Sequence, residues 1–125
     1  MADELERGIA QGVAFPNVQD LGWARVRRAV STARVPASSD LGPGKREVLA
    51  IASETPGSLA VLDDARARHY ARLLGIPVTG TVGVLVYAKQ QGHIEAIAPV
   101  LGRLDSLNFY LVPAMRRALL RLAGE

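Results

Sequence analysis

Asp63 and Asp64 stand side by side after the apolar run Leu59-Ala60-Val61-Leu62. Hard cations take carboxylate oxygens, and magnesium needs only one or two carboxylates besides water. The same place in the chain suits helix capping, because aspartate at an N-cap accepts a backbone N–H. The two roles are compatible, one residue for each. Thr79 and Thr81 flank Gly80 just ahead of another apolar stretch. Hydroxyls there suit a phosphate or an oriented water beside a helix N-terminus, and they equally suit N-capping. His69 is predicted on the wet face of a helix and His93 follows a helix-ending glycine, so neither is assigned a role. No serine sits in a nucleophile-elbow setting and no Gly-rich phosphate loop occurs.

These residues need elements to position them. The run 59–62 is wholly apolar and bounded by turn signals, which predicts a buried parallel strand with Asp63 and Asp64 at its carboxyl end. A helix follows, with Ala67, Tyr70, Ala71 and Leu74 inward, Arg66, His69 and Arg72 outward, and Gly75 as its stop. Ile76-Pro77-Val78 reads as a second short strand. Residues 82–91 read as a helix that is apolar almost all round and therefore largely buried. Gly92 ends it. A further helix runs through Ile94, Ile97, Leu101 and Leu104, with Pro99 kinking it or tightening its first turn. Phe109-Tyr110-Leu111 reads as extended, and Pro113 opens a last helix with Met115, Ala118, Leu119 and Leu122 on one face.

Upstream, residues 45–54 form a predicted helix with Val48, Leu49 and Ala52 as its stripe, ended by Thr55-Pro56-Gly57. Residues 31–44 read as a loop. Residues 23–28 alternate apolar and basic, like a strand with one wet face. Residues 2–10 suit a short helix. Strands alternating with helices predict an α/β fold with a parallel sheet flanked by helices. In such sheets the site lies beyond the carboxyl ends of the strands, which points to Asp63, Asp64 and the Thr79–Thr81 turn.

The chain has 125 residues, and 49% are hydrophobic, which suits one compact domain over residues 1–125 and not a disordered chain. It has no cysteine, so disulfides, zinc–thiolate sites and thiol chemistry are excluded, and a reducing compartment is the expected setting. No apolar run reaches the ~20 residues of a membrane span, and the polar opening is unlike a signal peptide. The expected location is the cytoplasm. The net charge of +3 is weak evidence for nucleic-acid binding. Arginine nevertheless clusters at Arg25, Arg27 and Arg28, at Arg66, Arg68 and Arg72, and at Arg116, Arg117 and Arg121.

The run from Leu59 to Ile94 resembles the PIN-domain family. The resemblance is carried by Leu62-Asp63-Asp64, Arg68, Ala71, Leu74-Gly75, Gly80-Thr81, Ala88-Lys89 and Gly92. Residues 41–54 resemble that family's glycine-led, glutamate-bearing helix, and ADELERG at 2–8 resembles an earlier helix. The resemblance implies a metal-dependent ribonuclease fold, often the toxin of a toxin–antitoxin pair, in which acidic residues gather Mg2+ or Mn2+ at the strand ends. The ion activates a water and stabilises the phosphate being cleaved. Carried over by position, Glu4, Glu47 and Asp64 would be the catalytic acidic residues. Those three and Asp63 would hold the metal, with Thr81, Lys45 and Arg68 toward the substrate.

Two departures from the pattern bear on activity. The family opens with a strand and helix that supply its first catalytic aspartate, and this sequence starts after both. Met1 stands where the family has valine, so a GTG codon inside a longer gene, or a true truncation, is the expected explanation. The upstream DNA would decide. The second departure is Gly44-Lys45-Arg46-Glu47 where the family has Gly-Glu-x-Glu. A lysine ammonium has no lone pair for a metal. Among carboxylates it relieves their repulsion without the cation. Either Lys45 replaces the metal's charge, or it snorkels outward and Glu47 turns in. The expected function is thus a PIN-like ribonuclease of impaired activity. The alternative is a non-catalytic remnant that binds RNA or an antitoxin protein, with a homo-oligomer formed by strand exchange as a further option.

Overall fold

The computed structural model describes residues 17–37 and 40–125. The expected helix over 2–10, and Glu4 within it, lie outside the described residues. The chain divides into two compact units, Met1–Val78 and Thr79–Glu125. The described residues contain a 3-10 turn at Val18–Asp20, helix α1 at Pro43–Glu54, strand β1 at Ala60–Val61 and helix α2 at Ala65–Leu73. Strand β2 at Val78–Thr79 and helices α3 at Thr81–Gln90, α4 at Ala98–Ser106 and α5 at Pro113–Leu122 follow. β1 and β2 pair in a small parallel sheet, and the fold is α/β as the alternation of elements predicts.

In the first unit, α1 opens with Pro43 in its first turn, where the missing N–H costs nothing. It ends at Thr55, whose hydroxyl donates to the Ile51 carbonyl at 2.8 Å. Leu49 and Ala50 are fully buried, with Val48 and Ala52 packed beside them. They meet Ala60 and Leu62 from the β1 segment, Ala67 and Ala71 from α2, and Ile76 and Val35. The expectation of a wholly buried strand at 59–62 is corrected. Ala60 and Leu62 are buried, while Leu59 and Val61 are 58% and 47% exposed. Side chains on a strand alternate between faces, and only the face toward α1 and α2 is covered. α2 buries the predicted side, and Arg66, His69 and Arg72 are exposed as expected. It stops at Gly75 with φ 69°, where the Ile76 N–H donates to Ala71 O and the Gly75 N–H to Arg72 O. That pair of bonds satisfies two helix-end carbonyls and needs a left-handed residue.

The expected strand at 23–28 is not formed; residues 24–29 are irregular. The sheet found among the described residues pairs β1 with β2, so the segment has no strand beside it. Just past it, carboxylates on α1 take the backbone donors: Glu47 Oε1 accepts from the Ala29 N–H at 3.0 Å, and Glu54 accepts from the Val30 and Ser31 N–H groups at 3.2 and 3.1 Å. Glu47 and Glu54 lie seven residues apart, two turns of helix, and so share one face. The segment is held to a helix by side chains in place of a neighbouring strand.

The second unit packs around Ile97, Leu101 and Leu119. Pro99 sits in the first turn of α4, so it tightens the start and does not kink the helix. α3 corrects another expectation. Val82, Leu85 and Val86 pack on the core, but no α3 residue is fully buried, and Val84 and Tyr87 are exposed. An all-round apolar helix can bury only the side that its neighbours reach. α5 also differs from its predicted stripe. Leu119 is buried with Leu120 and Ala123 against it, whereas Met115 and Leu122 are 54% and 74% exposed. Phe109-Tyr110-Leu111 forms no strand. The α4 end is closed by Asn108 at φ 62°, with the Phe109 N–H on Leu104 O and the Asn108 N–H on Asp105 O. Gly83 lies so close to the Thr79 side chain that a Cβ there would collide with Thr79 Oγ1.

Candidate functional site at the end of strand β1

Leu62, Asp63 and Asp64 continue the chain from β1 into α2, as the sequence predicts. Asp64 is the N-cap of α2: its Oδ1 accepts from the Ala67 N–H at 2.8 Å. Its Oδ2 accepts from the Lys45 ammonium at 3.1 Å. The cap and the contact with Lys45 therefore meet in one residue. The Ala67 N–H first, and then the Lys45 hydrogen bond, hold the Asp64 carboxyl below the usual aspartate range. The pair is partly open to solvent, with side-chain exposures of 43% and 38%. Arg68 adds a second cation: its Nη1 donates to Asp63 O at 3.0 Å and more weakly to Leu62 O at 3.4 Å. That guanidinium holds the strand end by its backbone.

Successive residues on a helix point ~100° apart, and the Lys45-Arg46-Glu47 segment uses all three directions. Lys45 reaches Asp64. Arg46 donates from Nη2 to Val35 O at 3.1 Å, while its buried Nε has no hydrogen-bond partner among the described residues. Glu47 turns to Ala29. Of the two arrangements open to Lys45, the side chain points into the strand-end site. Thr81, in the second unit, is the first residue of α3; the N-cap is Gly80, which supplies no side-chain cap. N-capping by a threonine is therefore corrected. His69 and His93 are both exposed.

The described residues do not by themselves assemble a divalent-ion site. Both Asp64 oxygens are engaged, one by a backbone N–H and one by an ammonium. Glu47 gives an oxygen to Ala29. Among the described residues no three of His, Asp or Glu come together as a metal-holding group. An ammonium close to a carboxylate also opposes a second cation at the same oxygen by charge repulsion. The carboxylate bonds from Glu47 and Glu54 to the 29–31 segment were missed in the sequence. Nothing local marks them, because the partners are eighteen and more residues apart.

The strand-end aspartate, capped helix and flanking cations define an α/β domain with an acidic site that carries its own counter-ion. Family comparison matches the description "PIN domain" over residues 1–125. The chain therefore belongs to the PIN-domain family, whose fold is nuclease-like and whose members generally depend on divalent metal. Comparison with curated proteins and with solved structures gives no match. Among the described residues no helix is long and apolar enough to cross a membrane.

Proposed function

We propose that this PIN-type domain binds RNA and that Lys45 occupies, as a fixed cation, the charge position that a divalent ion fills in a cutting enzyme. The observation that carries this reading is the 3.1 Å contact between Lys45 Nζ and Asp64 Oδ2. The lysine balances the aspartate electrostatically but, with no vacant orbital, it cannot coordinate a water and acidify it. RNA is the ligand class that the family suggests, and the exposed arginines supply phosphate contacts. An antitoxin protein is the partner expected if the chain serves in a toxin–antitoxin pair.

The test uses a labelled single-stranded RNA and manganese. The intact chain is expected to bind RNA without added divalent ion, to lose affinity steeply with salt, and to leave the RNA uncut. Lys45→Glu removes the ammonium and adds a carboxylate beside Asp64, so calorimetry is expected to show tighter manganese binding than in the parent. Manganese-dependent cleavage by the parent chain, abolished in Asp64→Asn, would instead establish the metal-dependent ribonuclease.

A further inference from the structure

A cavity of about 580 Å3 opens in the second unit, lined in part by Asp105, Asn108, Phe109, Tyr110, Arg116 and Arg117. Its lining shares no residue with the strand-end site and comes from α4, α5 and the irregular stretch between them. We propose that this cavity is a binding site for one nucleotide of single-stranded RNA, with Tyr110 stacking the base and Arg117 holding a phosphate. The inference rests on the reading that the domain binds RNA, and it places that binding at a surface of its own.

Three observations carry it. Tyr110 lines the cavity yet is 75% exposed. A tyrosine so open leaves its ring surface available, and stacking of a base on an aromatic ring is the sequence-tolerant contact of single-strand binding. Arg116 and Arg117 are adjacent but differently employed. Arg116 Nη1 reaches both Asp105 oxygens, at 3.0 and 2.8 Å, so its charge is already balanced. Arg117 is exposed and makes no ion pair with the described residues. Its guanidinium can take a phosphate in the two-pronged geometry that arginine favours.

The third observation is Asn108. Its left-handed backbone closes α4 through two hydrogen bonds, so its main chain is fixed while the residue lines the cavity and is exposed. An amide offers both donors and an acceptor, the complement of a base edge. A ring, an open guanidinium and an amide match a nucleotide's base face, phosphate and base edge. An acidic peptide would use the guanidinium but would leave the ring and amide without their matching chemistry.

The experiment is an anisotropy titration of the intact chain with a fluorescein-labelled, single-stranded RNA of mixed sequence. Tyr110→Ala is expected to weaken binding about tenfold, the effect of losing one stacked base. Tyr110→Phe keeps the ring and is expected to bind like the parent. Arg117→Gln is expected to weaken binding and to lower the salt slope by about one. Both positions are exposed, and unchanged melting temperatures would verify folded variants. RNA binding by the parent with equal affinity in all three variants would overturn this site and leave the RNA-binding reading standing. An absence of RNA binding by the parent would overturn both. Binding of a glutamate-rich peptide, lost in Arg117→Gln but kept in Tyr110→Ala, would also overturn the nucleotide assignment.

Discussion

At the residue scale, the Lys45–Asp64 contact has a measurable signature. Asp64 titrates below the ordinary range because the Ala67 N–H and then Lys45 favour its charged form. Lys45→Met removes one of those influences and leaves the cap. The Asp64 pKa is expected to rise in that variant while remaining below the unfolded value, as read by carboxyl-carbon NMR titration. The sign follows directly: loss of a neighbouring cation makes the carboxylate harder to keep ionised. The spacing of Lys45, three and four residues before Val48 and Leu49, allowed it to reach the strand end but left the outward arrangement open, and the contact with Asp64 selects between them. The direction of Glu47 was not legible in the sequence. Its partner Ala29 is a backbone donor eighteen residues away, and nothing in a helical pattern names such a partner.

At the element scale, α1 is the part on which the first unit is built. Leu49 is fully buried between the β1 segment and α2. Leu49→Ala is expected to cost about 2–5 kcal/mol in urea unfolding, the lost transfer energy plus the cavity left behind. The carboxylate attachment of residues 29–31 gives a second prediction. Glu54 spends one oxygen on each of Val30 and Ser31, so Glu54→Gln, with a single acceptor oxygen, loses one of the two bonds and the charge that strengthens the other. Amide exchange at Val30 and Ser31 is expected to accelerate, with exchange in the middle of α1 unchanged. The helices themselves were readable from periodicity, prolines and the stops at Gly75 and Gly92. Residues 23–28 misled because alternation is a property of the sequence, whereas a strand also needs a partner. α3 misled because its composition says how much it could bury and not how many sides are covered.

At the scale of the whole chain, three carboxylates share one electrostatic pattern. Glu54, Asp64 and Glu125 each sit below the ordinary range, chiefly because of the N–H groups of Ser31, Ala67 and Ile97 respectively. Glu125 also accepts from Ala98 and from Lys89, whose ammonium reaches Ala123 O as well. A depressed folded pKa means that the unfolded chain takes up protons first as pH falls. The stabilisation is complete above the unfolded carboxylate range. It is lost progressively as acidification passes down to the folded values. Thermal melts on a pH series are expected to decline through that window, less steeply in Glu125→Gln, where one of the three groups no longer titrates. The class of fold and the strand-end aspartates were legible from the alternation of elements. The 580 Å3 cavity was not, since it comes from an irregular stretch whose shape depends on how α4 ends.

The closeness of Gly83 to Thr79 has a consequence for the order in which this sequence can drift. Position 83 gains a methyl group only if the Thr79 hydroxyl turns away from it, although alanine is otherwise the better helix former by about 1 kcal/mol. A lineage that first trims Thr79 to alanine makes room, and the same alanine at 83 then changes from a clash into a gain. The two substitutions are thus epistatic in sign. Descendants of this chain are expected to carry both alanines, or the 79 change alone, and not the 83 change by itself.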